Sequence, residues 1–314
     1  MSENKRTYIF GPVPSRRLGL SLGVDLIPRK VCTLDCVYCQ VGRTTDHRLE
    51  RGDFVPVAEV LAELQTTLSE VPRPDYITIS GSGEPTLNVR LGEVIDGIRR
   101  LTDVPVAIIT NGTLLWDPAV RRDAAKADLV VPSLDAGDEE TYQKINRPTR
   151  GLTLENLVEG MAAFRREFTG QLWLEVFLAA GINDSEKQVR KMARLIERIN
   201  PDRIQLNTAT RPTAEADVRP VPPERLAELA RLLGSKAEVV ADFKSRQAAA
   251  ASAIADDQVL AMIRRRPVTA EDIAAGLAAH PSEVAKALGH LLDARRIVRT
   301  ERSGQMYYEA AEKP

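Results

Sequence analysis

Cysteine is scarce in this chain: three residues in 314, all between positions 32 and 39. An odd number confined to eight positions cannot build a disulfide framework, which needs pairs spread along the sequence. Long apolar runs are also missing. The longest, such as 172–182, are too short and too polar to span a bilayer. The opening stretch MSENKRTYIF has no apolar signal core, so the expectation is a cytoplasmic protein. Excess charge is missing as well: the net charge is −1, which removes any global electrostatic argument for nucleic acid or membrane partners. What is present is ordinary for a globular protein, 43% hydrophobic and 28% charged. The length suffices for one large domain and a small accessory one.

Short apolar stretches alternate with amphipathic ones from about residue 20 to 235. Strands are expected at 21–27, 76–80, 106–110, 129–134, 172–178 and 203–207. Helices are expected between and after them at 57–69, 89–101, 118–126, 154–168, 186–200 and 223–233. This alternation predicts a parallel sheet covered by helices. Six units are too few to close an eight-unit barrel, so the expected fold is α/β, an open partial (β/α)6 barrel. Ligands of such folds sit at the C-terminal ends of the strands.

The pattern lapses over 236–255, read as a linker between a domain at 1–235 and another at 256–314. In the latter, apolar residues recur at helical spacing in three segments, followed by IVRTERSGQMYYEA, two strands around a turn at Ser303 and Gly304. Three helices and a hairpin predict a winged helix. Nine Lys and Arg balance nine Asp and Glu in 256–314, whereas a domain living on phosphate contacts carries a basic excess. Its third helix offers Ser282, Glu283, Lys286, His290 and Asp293, a mixed face. Docking of a protein or peptide is therefore at least as well supported as nucleic acid binding, and His280 and His290 read as surface residues. Such a module is expected to fold as a satellite, so that truncation near residue 250 leaves the chemistry of the large domain nearly intact.

The cysteines stand as Cys32-Thr-Leu-Asp-Cys36-Val-Tyr-Cys39. A tetrahedral zinc site wants a fourth ligand, and the nearest histidine is His47. Three thiolates on a four-iron cluster leave one iron with an open position. The spacing C-x-x-x-C-x-x-C, with aromatic Tyr38 before the last cysteine, resembles the radical S-adenosylmethionine (SAM) superfamily. So does Gly81-Ser82-Gly83-Glu84-Pro85, one β-α unit later, which is similar to that family's Gly-Gly-Glu-Pro element. The resemblance implies an oxygen-sensitive enzyme with one [4Fe–4S] cluster on Cys32, Cys36 and Cys39. It also implies SAM as cofactor, cleaved reductively to a 5′-deoxyadenosyl radical that abstracts hydrogen from a substrate. It implies that Gly81, Ser82, Gly83 and Glu84 receive the SAM amino group. Ser133 and Asp135 are then candidates for the ribose and carboxylate, and Asn111, Glu175, Asn183 and Asn207 complete the cofactor candidates. Beyond the cluster no catalytic residue is assigned.

The block FGPVPSRRLGLSLGVD (10–25) and the loop Lys144-Ile145-Asn146-Arg147-Pro148 resemble a narrower branch, related to the tRNA wybutosine-synthesis radical SAM proteins. Those use further cluster cysteines that this chain lacks. Arg16, Arg17 and Arg147 are candidate anchors for a phosphate or carboxylate, because guanidinium forks suit such groups. Three readings stay open. An enzyme acting on a nucleotide, RNA or small anionic metabolite is favoured, with a reductant such as ferredoxin or flavodoxin. The others are a peptide- or protein-modifying enzyme of the glycyl-radical activase type, docking through the winged helix, and an iron–sulfur transcription regulator.

Overall fold

A computed structural model describes residues 8–15, 17–210, 213–240, 256–277, 279, 281–302 and 305–311. The chain opens with a hairpin, β1 (Ile9–Ser15) and β2 (Gly19–Val24), followed by the short pair β3 (Val31–Cys32) and β4 (Asp46–His47) in the cysteine loop. Then come α1 (Val57–Glu70), β5 (Tyr76–Ile79), α2 (Leu91–Leu101), β6 (Val106–Ile109), α3 (Pro118–Ala124), β7 (Leu129–Val131), α4 (Glu139–Ile145) and α5 (Leu154–Glu167). The large unit ends with β8 (Gln171–Leu178), α6 (Glu186–Ile199), β9 (Arg203–Thr208), α7 (Pro223–Leu232) and β10 (Ala237–Val239). One eight-stranded sheet runs β1-β2-β5-β6-β7-β8-β9-β10, parallel except for β1. Its end strands β1 and β10 are not hydrogen-bonded to each other, so this is the expected open α/β half-barrel.

Alternation along the strands sorts the two faces. Val106, Ile108, Val130, Leu172, Leu174, Val176, Ile204 and Leu206 join the large core under the helices. Ala107, Ile109, Leu129, Val131 and Trp173 form a separate cluster with Leu18 on the concave face. The helices begin where sequence provides a cap: the side chains of Asp117, Asp138, Thr153 and Ser185 accept from backbone N–H groups of α3 to α6. Helix α6 stops at Asn200, whose φ of 53° is left-handed.

In the main sheet two strands lay outside the expected pattern, as did the short pair β3 and β4 and helix α4. β1 pairs antiparallel on the edge, and β10 adds three residues beside β9 within the stretch read as a linker. The C-terminal segment forms α8 (Asp256–Arg265), α9 (Ala270–Gly276), α10 (Pro281–Asp293) and the antiparallel pair β11 (Ile297–Arg302) and β12 (Gln305–Ala310). Thr269 and Asp272 make a reciprocal capping box on α9. The expected turn residues Ser303 and Gly304, and His280, lie outside the described residues. This segment has its own core around Val259, Ile263, Ile273, Val284, Leu288 and Ile297, and Val13 of β1 packs against it. It is docked on the sheet rather than standing apart.

Candidate active site

The cysteine loop lies at the C-terminal edge of the sheet, and the chain after α4 holds it by backbone. Asp35 N–H donates to Asn146 O (3.1 Å), Val37 N–H to Ile145 O (3.0 Å) and Thr149 N–H to Thr33 O (2.9 Å). The 144–148 stretch singled out in the sequence is thus the backbone partner of the cysteines. Each thiol has an N–H donor. Asn111 Nδ2 lies 3.6 Å and Leu34 N 3.5 Å from Cys32 Sγ, Asn146 Nδ2 lies 3.4 Å from Cys36 Sγ, and Lys30 Nζ lies 3.3 Å from Cys39 Sγ. Burial, then the Glu84 carboxylate, pushes the Cys32 thiol up to about 12. Burial likewise raises Cys36, against the opposing Asn146 hydrogen bond. Without metal Cys32 and Cys36 stay protonated at neutral pH, and metal binding must release their protons.

The donor set fits an iron–sulfur cluster. The three thiols are close neighbours: the charge of Cys39 raises both Cys32 and Cys36, and that of Cys32 raises Cys36. Yet among the described residues no three His, Cys, Asp or Glu side chains converge on a single metal ion. Soft thiolates taking one iron each, with N–H donors to sulfur around them, are what a cubane requires.

Beside the cysteines runs the loop after β5. Gly81 has a φ of +133°, and a Cβ there would lie 2.5 Å from the Asp25 carboxyl carbon, so only glycine serves. Lys30 N–H donates to Ser82 O (2.7 Å), and Glu84 N–H to Val31 O (3.1 Å), which stitches this loop to the cysteine loop. The Glu84 side chain is 2% exposed. Its Oε1 accepts from Thr86 N (3.0 Å), Thr86 Oγ1 (2.6 Å) and Thr110 Oγ1 (2.6 Å), and its Oε2 from Asn111 N (2.8 Å). Burial raises this carboxyl, and those four donors offset part of the rise. Glu84 therefore ties the ends of β5 and β6 together, and most of its capacity is spent inside the protein. Asn111 extends the tie, donating from Nδ2 to Thr33 Oγ1 (2.8 Å) and accepting at Oδ1 from Thr113.

A second braced group stands across the edge. The Tyr38 ring stacks on Phe177 at 3.9 Å, and its hydroxyl donates to Asp135. Asp135 also accepts from Asn146 Nδ2 (2.8 Å) and Phe177 N (2.9 Å). It is buried, which pushes its carboxyl up to about 6 despite those donors. Asn183 is wholly buried: Nδ2 donates to the carbonyls of Asp135 and Phe177 (both 2.7 Å), and Oδ1 accepts from Ala179 N (2.7 Å). These bonds leave Asn183 no surface for a ligand, so it holds the β7 and β8 ends in register rather than facing the cleft. Ser133 is half-buried at the end of β7, bridged to Glu175.

On the concave face, one step below Phe177, Glu175 accepts from Asn207 Nδ2 (2.9 Å) and from Arg17 Nη2. The other terminal nitrogen of Arg17, Nη1, is buried with no hydrogen-bond partner among the described residues. Arg147 stands elsewhere, on the rim, paired with Glu215 (2.6 Å) and near Asp35 (3.8 Å). Its charge is already answered there. Arg16 lies outside the described residues. Sequence reasoning assigned no role to Asp25, Lys30 or Thr33, and named Asn146 only as part of its loop. Asp25 fell inside the strand expected at 21–27, and only the end of β2 at Val24 makes it a strand-end carboxylate like Asp135.

The radical SAM superfamily profile matches residues 26–196. Over 299 residues the chain is 37% identical to a protein named GTPase Obg from Brachyspira hyodysenteriae, covering 94% of this chain but 44% of that protein. It is 33% identical over 310 residues to a UPF0026 protein of Methanocaldococcus jannaschii, covering 96% and 95% of the two chains. Among solved structures, TYW1 with a lysine–pyruvate adduct bound is similar in fold, with a TM-score of 0.51 at 20% identity over 71% of this chain and 75% of that one.

Proposed function

Because the chain belongs to the radical SAM superfamily, whose members are enzymes with a [4Fe–4S] cluster and SAM, we propose that Cys32, Cys36 and Cys39 ligate one such cluster and that SAM chelates its remaining iron. The observation that carries this is three half-buried cysteines, each with an N–H donor beside its thiol, stitched to the Gly81 loop at the C-terminal edge of a parallel sheet. When bound, the cofactors supply one-electron cleavage of the sulfonium to methionine and a 5′-deoxyadenosyl radical for hydrogen abstraction. Gly81, Ser82 and Gly83 offer backbone groups to SAM. Tyr38, Asn111, Ser133, Glu175 and Asn207 border it, while Glu84, Asp135 and Asn183 hold those groups in place. A reductant of the ferredoxin or flavodoxin type delivers the electron.

The substrate reading rests on Arg17. Glu175, itself held by Asn207, fixes the guanidinium on the concave face, and Nη1 has no partner among the described residues. A buried donor of this kind wants an acceptor, which favours a carboxylate or phosphate on a nucleotide, RNA or small metabolite. The three C-terminal helices with their hairpin make a winged helix in this reading, on the division 1–235, 236–255 and 256–314.

Anaerobic reconstitution should load about four irons and four sulfides. Reduced enzyme with SAM should then form 5′-deoxyadenosine and methionine. Adding cell extract fractionated by anion exchange tests the substrate class. Stimulation confined to the retained fractions supports an anionic substrate, and stimulation by the unretained fractions alone overturns it.

A further inference from the structure

The structure assigns Arg265, in the C-terminal module, as a positioning residue for the Gly81–Gly83 loop, acting through Asp25. This rests on the reading of that loop as the SAM-binding element. Arg265 Nη1 donates to Asp25 Oδ2 at 2.9 Å, and the two side chains are 17% and 7% exposed. The same Asp25 oxygen accepts from Ser82 Oγ (2.6 Å) and Ser82 N (3.2 Å). Asp25 is also the carboxylate against which Gly81 packs too closely for any side chain. Ser82 in turn accepts from Lys30 N, whose Nζ faces Cys39. One relay of contacts therefore runs from the C-terminal module to the cysteine loop.

The N-terminal block is shaped to receive this arginine. The guanidinium lies 3.5 Å above the Phe10 ring, a cation–π contact made on a desolvated face. Phe10 itself lies flat on Gly23, where a Cβ would be 2.1 Å from the ring. Val13 adds an apolar contact with the module's core. Strand alternation puts Gly23 and Asp25 on the concave face, opposite Leu22 and Val24. At the other side of the sheet the Tyr307 hydroxyl donates to Thr210 O (3.0 Å), just past β9. The module thus reaches both flanks of the open half-barrel. An unpaired Asp25, buried and charged, would pull water or another donor into the loop base and leave Ser82 without a fixed acceptor.

The test uses full-length reconstituted protein as wild type, Arg265→Ala, Arg265→Gln, Asp25→Asn and Arg265→Ala combined with Asp25→Asn, with Glu84→Ala as reference. SAM binding is read by equilibrium dialysis, loop order by amide hydrogen exchange over residues 80–86, and integrity by iron and sulfide content. If the ordered loop falls to about a tenth of the population, apparent SAM affinity falls about tenfold. Arg265→Ala and Asp25→Asn should each show this, with faster exchange at 80–86 and unchanged exchange in α2. Their combination should be no worse than either alone, because both break one relay. Should Arg265→Ala lose its cluster, Arg265→Gln carries the same comparison. Unchanged SAM affinity and exchange in the Arg265 variants, with Glu84→Ala weakened, overturns the positioning role alone. Additive losses in the double variant overturn the route through Asp25. Indifference of SAM binding to Glu84→Ala as well overturns the reading of the loop.

Discussion

Around the cysteines the loops are held mainly by backbone, whereas the C-terminal module is joined to the sheet by side chains. Thr33, Asp35 and Val37 exchange main-chain hydrogen bonds with residues 145–149, and Lys30 and Val31 do so with the Gly81 loop. The module instead depends on Val13, the Arg265–Asp25 pair over Phe10, and the Tyr307 hydroxyl. Backbone ties tolerate substitution of the residues that make them, because every residue carries the same donor and acceptor. Side-chain ties are lost one residue at a time. The main-chain frame of the cysteine loop is therefore less sensitive to substitution than the side-chain contacts that dock the module.

The largest break in that comparison is at the thiols. Replacing Cys32, Cys36 or Cys39 singly with Ala should reduce iron and sulfide from about four per chain to a small remnant and abolish deoxyadenosine release. Elemental analysis and product chromatography read both. A folded wild-type protein that takes up one zinc and no sulfide would remove the cluster from this account.

Glu84→Ala comes next, because it strands four donors from Thr86, Thr110 and Asn111. Loosening of the loop that Glu84 braces should lower SAM affinity about ten- to a hundred-fold, or roughly 1.5–3 kcal/mol. Cluster content should fall less than SAM binding does. Equal affinity in the variant and the wild type counts against the loop.

Truncation after residue 240 sharpens the contrast most directly. From sequence, a satellite module implies nearly intact uncoupled SAM cleavage. The docking described here implies instead that removing Arg265 exposes Asp25 and loosens the Gly81 loop. SAM affinity should then drop about tenfold, with cluster content largely kept. Unchanged affinity in the truncated protein restores the satellite picture.

The smallest expected effect is at Tyr38→Phe, which keeps the stack on Phe177 and deletes one hydrogen bond to Asp135. A cost of about 1 kcal/mol lowers the melting temperature by roughly 2–4 °C. A loss of the cluster in this variant would show that the hydroxyl shapes the thiol site itself.

Much of the fold was legible because each signal is local. The strands at 76–79, 106–109, 171–178 and 203–208 and every helix from Val57 to Leu232 except α4 fall within a few residues of their expected places. Apolar runs of four to eight residues between capped amphipathic stretches have few other solutions. β1 was missed because its glycine and prolines read as loop, and β10 because three residues carry no periodicity. The two arginine candidates described here, Arg17 and Arg147, look alike in sequence. Among the described residues, Arg17 has a nitrogen without a partner on the concave face, whereas Arg147 is paired with Glu215 on the rim.

By itself the sequence determined the cysteine triplet, the glycine loop that follows it and the βα order that brings both to one edge of a sheet. Three thiols at that spacing and a strand-to-loop glycine are chemical facts before any folding occurs. Tertiary structure alone decided which polar residues face the cleft and which are spent on bracing it. Glu84, Asp135 and Asn183 resemble ligand residues in sequence, yet their bonds go to Thr110, Tyr38, Ala179 and neighbouring backbone. It also decided that an arginine 240 positions after Asp25 completes the base of the glycine loop. No local pattern encodes that pairing. It exists because folding brings β1, β2 and α8 together, and a buried carboxylate demands a partner wherever the chain can supply one.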